Sequence, residues 1–101
     1  MGSPQYGQLV LDDEPLATAQ KIDFQSLTWS ADGRRLAAQE LVSWVDGPET
    51  RVVVIDADQR VTVAASPAHK GLCDPIRFEA GDLVYRHWHH VHGERELRLA
   101  L

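Results

Sequence analysis

Residues 51–65, RVVVIDADQRVTVAA, contain the clearest hairpin signal in the sequence. β-Branched residues dominate the two arms, and such side chains favour the pleated backbone of a strand. The connection Ala57-Asp58-Gln59 has the short polar chemistry of a tight turn. Since residues 52–55 are apolar on both faces, we expect the first arm to lie inside a sheet and the second arm to lie nearer an edge.

A second hairpin is expected upstream, at Asp32-Gly33. Glycine adopts the positive φ that tight hairpin turns require, and the strand Leu27-Thr28-Trp29 precedes this pair. The segment that follows is ambiguous, because residues 34–45 are rich in Ala, Leu, Gln and Glu and carry apolar residues at helical spacing. A returning strand that begins at Leu36 and a helix over 34–45 capped by Asp32 are both compatible with the local sequence.

An approximate internal repeat favours the strand over the helix. Each copy contains a short apolar strand, a glycine turn, a leucine, a tryptophan and a further glycine, in that order, ahead of a last strand. The first copy has Leu27, Gly33, Leu36, Trp44 and Gly47, and the second has Ile76, Gly81, Leu83, Trp88 and Gly93. A shorter loop in the second copy accounts for the difference in spacing. The repeat predicts two antiparallel units, at about 24–66 and 74–101.

The first unit resembles a known family of repeats. Residues 29–37, WSADGRRLA, followed by Val53-Val54-Ile55-Asp56, are similar to the W-S-x-D-G-x-x-[LI]-A…V-x-D pattern of β-propeller blades of the WD40 and TolB kind. The second unit matches this pattern more loosely. The resemblance implies a sheet in which Trp-Ser ends the innermost strand and Asp-Gly forms the turn. Because a propeller needs about four or more blades, two such units imply a local sheet and not a closed propeller.

We therefore predict an all-β single domain over residues 1–101, built from two antiparallel, blade-like sheets of about four strands each. The sheets form a sandwich or an incomplete propeller. Because the second unit supplies only three strands, Gln8-Leu9-Val10-Leu11 is expected to complete its sheet beside the C-terminal strand. One apolar set would then be buried between the sheets. Its members are Trp29, Leu36, Val53, Phe78 and Leu83.

The composition is that of an ordinary globular domain, with 101 residues, 44% hydrophobic and 25% charged. Fifteen acidic and ten basic residues give a formal charge of −5, and the scattered basic residues argue against a nucleic-acid partner. No apolar run is long enough for a membrane span, and residues 1–5 lack the regions of a signal peptide. Together with the lone Cys73, these features predict a cytoplasmic protein with no membrane partner.

Four of the five histidines lie within residues 85–94, YRHWHHVHGE. On a strand, His87 and His89 project from one face, and with Glu94 they offer two imidazoles and a carboxylate to a divalent transition metal. The spacing Gly81-x5-His87-x-His89-x4-Glu94 also resembles the first metal-binding motif of the cupin family. That resemblance implies a metal-dependent enzyme or a metal-binding protein. The alternative is an aromatic, histidine-rich strand end at a rim or interface, with no cofactor.

The leading functional expectation is a small, non-enzymatic protein that binds another protein or a second copy of itself. Sheets with unclosed edges offer backbone groups for strand addition, and exposed aromatic residues anchor interfaces. The interface candidates are Trp44, Tyr85 and Trp88. A metal-dependent, cupin-like enzyme is the alternative, and small size and acidity suggest an inhibitor or immunity-type protein as a third. No catalytic residue is assigned.

Overall fold

The computed structural model describes residues 6–16, 21–23 and 25–101, and this part of the chain contains strands and turns but no helix. The strands in chain order are β1 (Tyr6–Gly7), β2 (Val10–Leu11), β3 (Glu14–Pro15), β4 (Ile22–Asp23), β5 (Thr28–Trp29), β6 (Arg35–Ser43), β7 (Glu49–Asp56), β8 (Val61–Ala65), β9 (His69–Lys70), β10 (Leu72–Glu79), β11 (Asp82–His89) and β12 (Gly93–Ala100). The predicted all-β class is confirmed. The helix alternative over residues 34–45 is wrong, because β6 occupies that segment.

Two of the predictions fall partly outside the described residues. Phe24, where the first predicted unit begins, and residues 1–5, which were compared with a signal peptide, are not among the described residues. In the described part, no helix is long and apolar enough to cross a membrane.

The largest sheet is antiparallel and has the order β1, β4, β6, β7, β8. β5 pairs with β6 on the side that β4 occupies, and β9 pairs with β7 on the side of β8. β7 lies inside the sheet and its residues 52–55 are buried, which confirms the position predicted for the first arm of the 51–65 hairpin. β8 ends the strand order, as expected for the second arm. We call this the central sheet.

The second sheet is an antiparallel meander of β10, β11 and β12, and these strands match the three predicted for the second unit. One of its faces packs on the central sheet and closes an apolar core. The buried members of this core are Ala37, Val52, Val54, Cys73, Leu83 and Tyr85. The fold is therefore sandwich-like, with the His-rich strand β11 in the middle of the smaller sheet.

The N-terminal segment does not complete the second sheet, so that prediction is wrong. Val10 pairs with Pro15 and Leu11 with Glu14, which makes β2 and β3 a separate hairpin. Asp12 and Asp13 form its two-residue turn with φ of 52° and 63°, a conformation that Asp tolerates and that suits the twist of a tight hairpin. β2 and β3 therefore pair with each other and not with β12, and the second sheet has three strands.

The hairpin covers the other face of the central sheet, so that β6 and β7 are buried on both sides. The core on that face contains Leu9, Leu16, Ile22, Leu36, Ala38, Val53 and Ile55. The predicted set between the two sheets is thus partly wrong: Leu36 and Val53 face the hairpin, and Trp29 is 47% exposed. Because side chains alternate along a strand, the neighbours Ala37, Val52 and Val54 face the second sheet instead.

Gln39 is a fully buried polar side chain at the junction of the two sheets. Its Nε2 donates to the carbonyl oxygen of Cys73 and to Oδ1 of Asp74, each at 3.0 Å, and its Oε1 accepts from the Tyr6 hydroxyl. Burial, with Asp23 next, raises the pKa of Tyr6 to about 12, so this phenol keeps its donor proton at neutral pH. All hydrogen-bonding atoms of the Gln39 amide are therefore engaged, as a buried amide requires.

The outward face of the second sheet is a network of ion pairs. Arg86 Nε lies 2.5 Å from a Glu94 carboxylate oxygen, and Arg98 Nη2 lies 2.5 Å from one of Glu79. Arg77 lies 2.6 Å from Glu79 and 3.8 Å from Glu96. Each of these exposed pairs contributes little to stability. Together they make this face polar, and each of their carboxylates has an arginine partner.

Candidate functional site

Three chain connections meet at one end of the molecule, which we call the loop end: residues 44–48, 69–71 and 88–93. The amide N–H of Gly71 donates to the carbonyl oxygen of Pro48 at 2.9 Å, and Lys70 Nζ donates to that of Val45 at 3.4 Å. These bonds join the β6–β7 connection to the turn between β9 and β10. The β11–β12 hairpin reaches the same place, because Gly71 lies against the backbone of Trp88.

The contact at Gly71 admits no side chain. Gly71 has a φ of +102°, and a Cβ atom added there would lie 2.1 Å from the carbonyl oxygen of Trp88. The Gly71 carbonyl oxygen in turn accepts from Thr50 Oγ1 at 2.9 Å. This glycine therefore holds β11 close to the edge of the central sheet and positions the histidine-rich segment beside it.

Large apolar side chains are exposed at the loop end. Trp44 is 60% exposed and Val45 67% on the β6–β7 connection, while Trp88 is 45% exposed and Val91 68% on the β11–β12 hairpin. Trp88 faces outward because it alternates along β11 with His87 and His89. The third interface candidate, Tyr85, is instead 3% exposed and belongs to the core between the sheets. Tyr85 is therefore not available on the surface to a partner.

All five histidines gather at the loop end. The rings of His69 and His87 have centroids 4.7 Å apart, and the ring of His89 lies 4.6 Å from that of His90 and 4.9 Å from that of His92. His69 was not part of the predicted cluster. It joins because β9 pairs with β7 and is brought over β11, an arrangement for which the local sequence around His69 gives no signal.

Hydrogen bonds set the tautomers of two of these rings. His87 Nε2 lies 2.6 Å from the carbonyl oxygen of Lys70, and since a carbonyl oxygen only accepts, that nitrogen carries a proton. His89 Nδ1 accepts from the amide N–H of Val91 at 3.1 Å, so the proton of neutral His89 is on Nε2. The lone pair of neutral His87 is consequently on Nδ1. The lone pair of His89 is also on Nδ1, but there it already accepts the hydrogen bond from Val91.

The residues predicted to hold a metal are only partly brought together. His87 and His89 share the inward face of β11, as the two-residue spacing predicts. Glu94 lies opposite Trp88 in the register, on the outward face, where its carboxylate pairs with Arg86. Among residues 6–16, 21–23 and 25–101, no group of three or more His, Cys, Asp or Glu side chains is placed to hold a metal ion. Metal binding by the His-rich strand stays a prediction.

The stability of the fold is expected to fall as the pH drops below about 6.5, the ordinary pKa of histidine. Burial lowers the pKa of His69, with the charges of His87 and Arg95 adding to the effect, and burial followed by His90, His92 and His87 lowers that of His89. The folded protein then binds fewer protons than the unfolded chain, so acid favours unfolding.

Urea denaturation between about pH 7.5 and pH 5.5 measures this dependence. We expect His69→Gln to flatten the slope of stability against pH. Glutamine does not titrate, so the variant lacks a side chain that binds a proton more readily in the unfolded chain than in the folded protein. A slope that His69→Gln leaves unchanged would contradict the assignment.

No protein-family model, curated protein or solved structure matches the chain. The loop end is accordingly defined by the residues of this chain alone.

Proposed function

We propose that this protein is a non-enzymatic binding module that contacts another protein, or a second copy of itself, through the loop end. The observation that carries the proposal is the exposure of four large apolar side chains on the connections that meet there. They are Trp44, Val45, Trp88 and Val91.

The composition of the loop end supports protein binding over other uses. Tryptophan is enriched among the residues that dominate interface energies, because a large rigid ring buries much area at little conformational entropy. Polar side chains border Trp88, because Asp46, Lys70 and His90 line the same cleft. An apolar centre with a polar rim is the usual anatomy of a protein interface.

The sheet edges are less suited to a partner than the loop end. The pairing of β7 with β8 shifts register between Val54 and Ile55, and a bulge at an edge strand hinders the addition of a further strand. β12 has the sequence GERELRLA, which places four charged side chains along an exposed edge. Such charges also protect edges from pairing, so we favour side-chain docking at the loop end over strand addition.

The double substitution Trp44→Ser/Trp88→Ser is expected to weaken binding strongly without unfolding the protein, because Trp44 is 60% exposed and Trp88 is 45% exposed. The readouts are sedimentation equilibrium for self-association and co-purification of the tagged chain from its native host. We expect the apparent affinity to fall by at least tenfold, since loss of an aromatic anchor removes about 2 kcal/mol or more.

Trp29→Ser is the matched control. Trp29 is 47% exposed, but it pairs with Leu36 at the opposite end of β6, about 23 Å from Ser43 at 3.3 Å per residue. This variant should bind as the unmodified protein does. Equal loss of binding in the control and the double variant, or full binding by the double variant, would exclude the loop end as the interface.

A further inference from the structure

A pocket opens on the inward side of the β11–β12 hairpin, with a volume of about 340 Å³. It is lined by His87, His92, Gly93 and Arg95. His87 and Arg95 face each other directly in the β11–β12 register, and His92 and Gly93 belong to the hairpin that joins the strands. The pocket is thus built by one rigid hairpin, and all its titratable lining groups are imidazoles or a guanidinium.

Arg95 differs from the other arginines of the second sheet in having no carboxylate partner. Arg77, Arg86 and Arg98 each form at least one ion pair on the outward face. Within the described part of the chain, no carboxylate oxygen lies within 4.0 Å of the Arg95 guanidinium. The neighbouring glutamates of β12 point to the other face, so the pocket is left with an unpaired cation.

We infer that this pocket binds a small organic anion through a phosphate or carboxylate group. The planar guanidinium of Arg95 matches two oxygens of such a group, and the imidazoles of His87 and His92 line the same pocket. The volume lies at the lower end of the range for small-molecule sites, which suits an oxyanion that carries a modest organic part. The net charge of −5 makes this local excess of positive charge unlike the molecule as a whole.

The carboxylates nearest the pocket lie on the other face of the strands that surround it. Asp74, Glu94 and Glu96 stand opposite Arg86 or Trp88 in the register, and cross-strand partners share a face. The titratable and charged groups on the side of the pocket or on the turns beside it are His69, Lys70, Cys73, Tyr85, His87, His89, His90, His92 and Arg95. The charges of His87 and Arg95 help to lower the pKa of His69, and a bound anion would oppose that effect.

Amide NMR titrations with phenyl phosphate and with benzoate, in a low-salt sulfonate buffer near neutral pH, test the inference. We expect saturable shifts at Gly93 and Arg95. Arg95→Gln should weaken binding by about tenfold or more, the effect of losing one charge-assisted contact. The control Arg98→Gln, on the same strand but on the outward face, should change binding by less than about twofold.

Stronger binding of phenyl phosphate assigns a phosphate ligand, and stronger binding of benzoate assigns a carboxylate; either result supports the site. Shifts that do not saturate at millimolar ligand, or equal weakening by Arg95→Gln and Arg98→Gln, would overturn it. Because Trp44→Ser/Trp88→Ser leaves the pocket lining intact, the same titration on that variant separates this site from the proposed protein interface.

Discussion

Gly71→Ala is expected to lower the free energy of unfolding by about 4 kcal/mol, one of the largest single-residue effects in this protein. Two causes act together at this position. Alanine at a φ of +102° is strained, and its Cβ would lie 2.1 Å from the Trp88 carbonyl oxygen. Since that oxygen belongs to the backbone of β11, the clash is relieved only if the second sheet moves away from the central sheet.

Gly47→Ala separates the two causes, because Gly47 has a φ of +94° but no atom within 4 Å of an added Cβ. We expect it to lower stability by only about 1–2 kcal/mol, the contribution of backbone strain alone. Urea denaturation followed by tryptophan fluorescence measures both variants. Similar losses in the two would show that the close approach of Gly71 to Trp88 contributes nothing to stability.

Gln39→Leu should lower the free energy of unfolding by about 3 kcal/mol, although leucine is apolar and close in size. The substitution leaves the Cys73 carbonyl oxygen, the Asp74 carboxylate and the Tyr6 hydroxyl without their partner. Burial, with Asp23 next, raises the pKa of Asp74, while the bond from Gln39 works against that rise. Removing the amide therefore withdraws a donor from a carboxylate that is already poorly solvated.

Tyr6→Phe, made in the original chain and in the Gln39→Leu background, tests whether the network acts as a unit. We expect Tyr6→Phe to have a smaller effect in the second background, by about 1 kcal/mol, since its acceptor is already gone. Gln59→Leu, in the exposed turn after β7, is the control for a change from glutamine to leucine and should alter stability by less than about 0.5 kcal/mol. Effects of Tyr6→Phe and Gln39→Leu that simply add would contradict the network.

The strands and their turns were largely predictable from local patterns. The β-branched arms of 51–65, the Asp32-Gly33 turn and the number of strands in the second unit are as predicted. The N-terminal segment was not predictable to the same degree. A four-residue apolar run pairs equally well with any open edge, and only the positive φ of Asp12 and Asp13 directs Val10 and Leu11 back onto the residues that follow.

The candidate site was predictable only in part, for a related reason. Alternation along β11 was enough to place His87 and His89 on one face and Trp88 on the other. It gave no information on His69, which reaches the cluster through the pairing of β9 with β7. Nor did it predict that Glu94 would pair with Arg86 while Arg95 stays without a partner.

The amino-acid pattern alone determined that this chain forms antiparallel strands, where most of them turn, and which side chains share a face. These properties depend on φ preferences and on a two-residue period, which act between neighbours along the chain. Only the tertiary structure decided which face of the central sheet each neighbouring layer covers, that all three tryptophans stay exposed, and which arginine stays without a carboxylate partner. Those outcomes depend on contacts between segments that are far apart in sequence. Local conformational preferences do not specify which of these segments pack against each other.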